Sequence, residues 1–215
     1  MKMLKFGLVS FLFIITIVQS MFPSSYTGAG ENVFYHVRHT SAIQKNEAYK
    51  SHSLSSLPNK LLKYVPDAGT VILIDFRLPS NKKRLWVIQD HKILVNCRVA
   101  HGKKSGWVKT TQFSNRHESN MSCIGTFLTG DEYQSEQIGR AMYLHGMDKG
   151  VNDNAFQRGI RFHASTYLSD AFLRKNGRIG RSLGCFTTEK KYNDIIIDVC
   201  KSGTLVHVIA NTQGK

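Results

Sequence analysis

Apolar and polar positions along the chain fall into three regimes. Residues 6–18 of "MKMLKFGLVSFLFIITIVQS" are almost continuously apolar. Residues 40–64 change to a mixed pattern: "TSAIQKNEAYK" is made of helix formers, and Leu54, Leu57, Leu61 and Leu62 follow at helical spacing around Pro58, which breaks or starts a helical segment. From Gly69 onward, short β-branched and aromatic runs separated by polar turns predict strands at 70–78, 84–89, 92–100, 123–130, 140–147, 159–165 and 204–210. "QDHK" (89–92) reads as a hairpin turn between two of them. Two helices interrupt the strands. "SDAFLRKNG" (169–177) has a Ser/Asp start and a Gly stop, and "EKKYNDIIIDVCKSG" (189–203) places Tyr192, Ile195, Ile196 and Val199 on one face. The whole predicts a mainly antiparallel β protein with α elements, a C-terminal helix and an N-terminal helical extension.

The first regime reads as a secretory signal over residues 1–20. Lys2 and Lys5 precede an apolar run too short to cross a ~30 Å bilayer comfortably, with an uncleaved anchor as the alternative. Residues 21–68 then read as a linker and helical extension, and 69–215 as the main domain. Export permits disulfides, and Cys97, Cys123, Cys185 and Cys200 can pair in three ways. A 215-residue chain buries enough surface not to need staples, so a thiol can be free for chemistry. Cys200, in the last turn of the second helix, reads as small core filler.

Charge narrows the partners. The 29 Lys and Arg against 15 Asp and Glu give +14, which favours anionic partners, and export makes an anionic cell-wall surface a better candidate than nucleic acid. The polar stretch 101–122 is a loop of the length that is functional or mobile.

Among candidate chemistries, "GRIGRSLGCFTT" (177–188) surrounds Cys185 with small and basic residues instead of aliphatic ones. Disulfide half, metal ligand and nucleophile are all open to it. No C-x-x-C, H-x-x-x-H or H-E-x-x-H occurs, so a zinc site would have to be assembled from scattered residues. As a nucleophile, a thiol of pKa ~8.5 needs a base or positive charge beside it. Arg178 and Arg181 supply charge, and Gly184 clears the approach to the sulfur. His163 in "GIRFHAS" is the best-placed base, with His145 and His207 as competitors on similar apolar strands.

"FHAS" followed by "GRIGRSLGCF" resembles the paired His and S-x-G-C motifs of the murein L,D-transpeptidase catalytic domain, the YkuD-like family. "VAHGKKSG", "TQFSNRHESNMSCIGTFLTGDEY", "GVNDNAFQRGIRFHA", "YLSDAFLRKNGRIGRSLGC" and "GTLVHVIA" match in order, covering about residues 69–210. The resemblance implies a β-sandwich or barrel catalytic domain. It also implies Cys185 as nucleophile, His163 as base, the Ala164 carbonyl orienting that base, and main-chain N–H groups of Leu183, Gly184 and Cys185 as an oxyanion hole. Ser182 and Arg181 would support the loop. The implied substrate is the peptidoglycan stem peptide, with D-alanine released from a thioacyl enzyme and the acyl group passed to an amine or to water. No metal or organic cofactor is implied. Three departures motivate an alternative of a different class, a wall-binding protein that keeps the fold without activity. Ala164 stands where the family usually has Gly, Phe186 where this branch commonly has Pro, and Cys123 where Ser is expected; the Cys123 thiol is then an inert substitute or a redox partner.

Overall fold

The computed structural model describes residues 52–211. The apolar run of residues 1–20, the linker after it and the first part of the extension to residue 51 lie outside the described residues. Among those described, no helix is long and apolar enough to cross a membrane.

Among the described residues nine strands form one sheet: β1 (His52–Ser53), β2 (Thr70–Asp75), β3 (Leu85–Gln89), β4 (Lys92–Cys97), β5 (Gly125–Ser135), β6 (Gly139–Gly146), β7 (Arg161–Ala164), β8 (Phe186–Thr188) and β9 (Leu205–Ile209). Their order is β1-β4-β3-β2-β9-β5-β6-β7-β8. Neighbours run antiparallel except β2 with β9 and β7 with β8. Asp90 and His91, between β3 and β4, have φ of 45° and 61°, the pair of positive values that a tight hairpin turn of matching twist requires.

β2 reads as a continuous apolar run because both of its faces are covered. Ile72 and Ile74 enter the main core with Leu85, Val87, Phe127, Phe162, Phe186, Ile196 and Ile197, whereas Val71 and Leu73 enter a second cluster with Leu57, Leu61, Trp86 and Ile88. The second cluster lies under the N-terminal extension. Its leucines were expected on an α-helix, but Leu54–Ser56 and Asn59–Tyr64 are 3-10 turns on either side of Pro58. Pro58 forbids a continuous hydrogen-bond ladder through that point, and spacings of three and four residues still bring Leu54, Leu57 and Leu61 to the sheet.

α1 (Asp170–Asn176) is capped by the Ser169 hydroxyl, which accepts from the Phe172 N–H, and ends at Gly177 with φ 67°. α2 (Lys190–Cys200) touches β2, β4, β6, β7 and β8. Since these strands come from both halves of the sheet order, the sheet must curl around the helix. Asn193, Ile196, Ile197 and Cys200 are its buried residues, while Tyr192, Ile195 and Val199 pack at the margin. The buried stripe is thus rotated from the one expected: three consecutive isoleucines leave the phase open, and Asn193 turns inward to donate to the Arg140 carbonyl at 3.1 Å. Cys200 is core filler as expected, fully buried, its thiol pushed up by burial.

Two elements escaped the sequence pattern for physical reasons. β5 continues past residue 130 through polar positions because Glu132 pairs there with Arg140 and Lys201. β8 is three residues long, too short to show a period of two.

Arg84, at the start of β3, is fully buried. Its guanidinium donates to the carbonyls of Val99 (3.1 and 2.9 Å) and Leu78 (3.0 Å), to Thr110 Oγ1 (3.0 Å) and to His101 Nδ1 (2.8 Å). A guanidinium can only donate, so His101 carries its proton on Nε2, which donates to the Gly106 carbonyl at 3.2 Å. Burial, with the neighbouring Arg84 charge, lowers the His101 pKa to about 4. The unfolded chain therefore binds this proton below pH ~6.5 and the folded one only near pH 4, so the stability present above pH 6.5 is lost as pH falls. By pH 4.5 the loss from His101 alone is expected to reach about 2.5 kcal/mol. Urea unfolding of wild type and His101→Gln at pH 7 and 4.5 checks this, the variant showing the flatter dependence.

Candidate active site

His163 lies in β7 between Phe162, which faces the main core, and Ala164. The parallel register sets Phe162 against Phe186 and His163 against Thr187. Because side chains alternate across a strand, His163 and Cys185, the residue just before β8, share the face opposite to the two phenylalanines. The sheet thus places His163 on β7 and Cys185 at the entrance to the neighbouring β8. His145 is exposed on β6, stacked on Phe156 at 4.9 Å, and His207 lies against Thr126 and Tyr64.

His163 Nδ1 is 2.9 Å from the Ala164 carbonyl oxygen. A carbonyl only accepts, so the proton is on Nδ1 and the Nε2 lone pair is free. Burial lowers the His163 pKa against the opposing effect of this hydrogen bond. Ala164 is an extended strand residue with no positive φ, so its side chain costs nothing there and the usual glycine is not needed.

Cys185 is partly buried, with Sγ 3.4 Å from the Gly159 carbonyl. Burial pushes its thiol up, opposed by the Arg161 N–H and by the charges of Arg161 and Arg158. Arg178 and Arg181, expected to supply this positive charge, do not: both stack on Trp107, and Arg181 donates to the Lys103 and Gly106 carbonyls. With the thiol shifted up and the imidazole down, both groups rest neutral at pH 7, an arrangement for base-assisted attack and not a standing ion pair.

Hydrogen bonds set the shape of the loop before Cys185. Ser182 Oγ donates to the Cys185 carbonyl at 2.7 Å and accepts from the Gly184 N–H at 3.1 Å. That N–H is therefore engaged, which removes Gly184 from the expected oxyanion donors; among the described residues the N–H groups of Leu183 and Cys185 have no backbone partner. Ser122 Oγ donates to the Gly184 carbonyl at 3.0 Å and accepts from the Gly102 N–H. The Ser182 N–H donates to the His101 carbonyl, and its carbonyl accepts from Lys103. Ser122, His101 and Arg84 thus build the loop's floor, and none was named from sequence. A serine in a serine-rich stretch and an arginine after two lysines carry no periodic signal.

Gly184 has φ 134°, and a Cβ there would stand 2.7 Å from Ile160 Cδ1 and 2.9 Å from the Met121 carbonyl oxygen. Gly184→Ala is expected to cost about 2 kcal/mol or more and to slow any Cys185 chemistry at least tenfold. Thermal unfolding and a thiol-alkylation rate read the two effects separately.

Phe186 is fully buried, within 6.0 Å of the rings of Phe76, Phe127 and Phe162. A strand residue packed in this aromatic cluster continues the chain from the loop into β8, so a proline is not needed there. Cys123 is buried and unpaired, 2.7 Å from Arg158 Nη1, and burial raises its thiol to about 11. All four cysteines are free. A pocket of about 470 Å³ opens next to the loop, lined by His117, Glu118, Asn120, Gln157, Arg158 and Leu183. Among the described residues, no group of three His, Cys, Asp or Glu side chains is gathered to hold a metal ion.

A model of the L,D-transpeptidase catalytic domain family matches residues 44–209. The chain belongs to that family. Solved structures similar to it include an L,D-transpeptidase from Stackebrandtia nassauensis (15% identity, TM-score 0.41, 70% of this chain and 60% of that one). Others are a fragment from Xylanimonas cellulosilytica (16%, 0.40, 66% and 61%) and an L,D-transpeptidase from Mycobacterium smegmatis (14%, 0.42, 66% and 59%). The chain spans about three fifths of the length of these proteins. No curated protein matches it by sequence.

Proposed function

We propose that the protein is an exported cysteine acyltransferase acting on peptidoglycan stem peptides, with Cys185 as nucleophile and His163 as base. The observation that carries the reading is the His163 Nδ1 contact with the Ala164 carbonyl, which leaves Nε2 unprotonated on the face it shares with Cys185. Family membership supplies the substrate class.

In this mechanism the Cys185 sulfur attacks the carbonyl of the L-centred third residue as its proton moves to His163 Nε2. The carbonyl's electron pair moves onto oxygen, where the N–H groups of Leu183 and Cys185 can donate to it. The imidazolium formed is stabilised by the Ala164 carbonyl at Nδ1. Collapse of the tetrahedral species breaks the peptide bond, and His163 returns the proton to the leaving nitrogen of D-alanine. The product is a thioester on Cys185. An amine from a second stem, or water, then attacks it, giving up a proton to His163 as the C–S bond breaks and the thiol is restored. The 470 Å³ pocket beside Leu183 offers room for one of the two peptides. The +14 charge suits an anionic wall, a role in which raised salt would weaken wall binding.

Incubation of purified muropeptides with the protein, with products weighed by mass spectrometry, tests the function. D-alanine with a cross-linked dimer marks the transpeptidase, and D-alanine with a tripeptide stem marks the carboxypeptidase. Unchanged muropeptides would refute both.

A further inference from the structure

Trp107 is 57% exposed, and two guanidinium groups lie over its ring: Arg178 Cζ is 4.0 Å from the centroid and Arg181 Cζ 4.2 Å. One cation against an indole is favourable. Two on the same indole lie no farther apart than the sum of those distances, inside the ~10 Å over which 0.1 M salt screens charge. Burial and the Arg178 charge together lower the proton affinity of Arg181.

Among the described residues neither arginine forms an ion pair with a carboxylate, although Arg77, Arg98 and Arg140 each do. Arg178 Nη1 donates to the Ile179 carbonyl, and Arg181 Nη1 donates to the carbonyls of Lys103 (2.7 Å) and Gly106 (3.0 Å). Among the described residues the other nitrogens of both forks have no protein partner. Lys103, Lys104 and Lys109, all exposed, surround the same turn. Two like charges are therefore held close, with free donors and, among the described residues, no counter-charge. Such an arrangement costs energy in the free protein and is relieved by an oxyanion, which a guanidinium fork matches in a planar, two-bonded way.

We propose that Arg178 and Arg181, fixed on Trp107, form a clamp for a carboxylate of an acidic peptide, holding the stem at a residue away from the scissile bond. The identity of the peptide rests on the acyl-transfer reading; the clamp itself does not. Placement away from the reacting atoms follows because Arg161 and Arg158 are the cations that act on the Cys185 sulfur, whereas Arg181 is turned toward Trp107 and the 103–106 turn. Arg181 adjoins Ser182, so the clamp and the cysteine loop are continuous in the chain, and an extended peptide can engage both.

The test uses Trp107 as its own reporter. The chain has two tryptophans, and Trp86→Phe in a Cys185→Ala background leaves Trp107 as the single emitter and prevents turnover. The probes are L-alanyl-γ-D-glutamyl-L-lysine amide and the same peptide with the glutamyl α-carboxyl converted to its amide. A saturable emission change with the carboxylate form is expected, with affinity about tenfold weaker for the amide form. Arg178→Gln should reduce the carboxylate form to the level of the amide. Should Trp86→Phe fail to fold, calorimetry on Cys185→Ala with and without Arg178→Gln reads the same comparison. Equal binding of the two peptides, no binding of either, no effect of Arg178→Gln, or saturation by inorganic phosphate without preference for the carboxylate peptide would each overturn the clamp. Carboxylate-dependent binding in a protein that turns over no muropeptide would keep the clamp and remove the acyl-transfer reading. Turnover without carboxylate preference would do the reverse.

Discussion

Cys185→Ala is expected to abolish turnover of stem peptides, a loss on the order of 10⁵-fold or more, while leaving the fold intact. Removing the sulfur removes the covalent route entirely, and nothing nearby can replace it. Cys97, Cys123 and Cys200 are each fully buried, with thiols pushed up by burial. The substitution should leave thermal stability almost unchanged, since the side chain is only partly buried and its hydrogen bond to the Gly159 carbonyl is a long 3.4 Å contact. Loss of activity together with a fall of many degrees in the melting temperature would instead make Cys185 a structural residue.

The opposite behaviour is expected at Arg84. Arg84→Met fills similar volume but leaves the carbonyls of Val99 and Leu78 and the Thr110 hydroxyl without their buried donor. A loss of about 3–5 kcal/mol follows from breaking a buried, fully bonded charge, enough to lower the melting temperature by roughly 10 °C. Burial already lowers the Arg84 pKa to about 9, so the guanidinium is held charged at neutral pH by its acceptors and by the buried Asp75. Its removal also relieves the charge pressing on His101, whose pKa should rise. The acid-induced loss of stability between pH 6.5 and 4.5 should then become shallower than in wild type. A melting temperature within a degree or two of wild type would show that the network contributes little.

These two sites mark what could and could not be read from sequence. Cys185 and His163 stood out as candidates because a cysteine in a glycine-rich, basic stretch and a histidine in an apolar strand depart from their surroundings. The strands β2 and β3 were legible because burial on both faces makes their composition extreme, and β4 because its buried positions alternate with more exposed ones. Arg84 was not, since "NKKRLW" reads as a polar turn and its acceptors, Leu78 on one side and Val99, His101 and Thr110 on the other, are gathered only by the folded chain. Ala164 and Phe186 looked like departures from the family pattern. Backbone geometry at the first and aromatic packing at the second account for them, and neither is a property of one residue in isolation. The N-terminal leucines had the right faces and the wrong helix type, because Pro58 permits short 3-10 turns and forbids a continuous α-helix. Charge near Cys185 was misassigned for a similar reason: Arg178 and Arg181 are close in the chain, but Trp107, about seventy residues earlier, decides where they point.

The central claim is a thioacyl enzyme on Cys185. Its most direct test is the intact mass of the denatured protein shortly after mixing with a stem tetrapeptide, beside a measurement of free D-alanine. Wild type is expected to gain the mass of the tetrapeptide less D-alanine, on the peptide containing Cys185, with one D-alanine released per adduct and neither event in Cys185→Ala. Release of D-alanine at the same rate by both proteins, or by neither, would contradict the account.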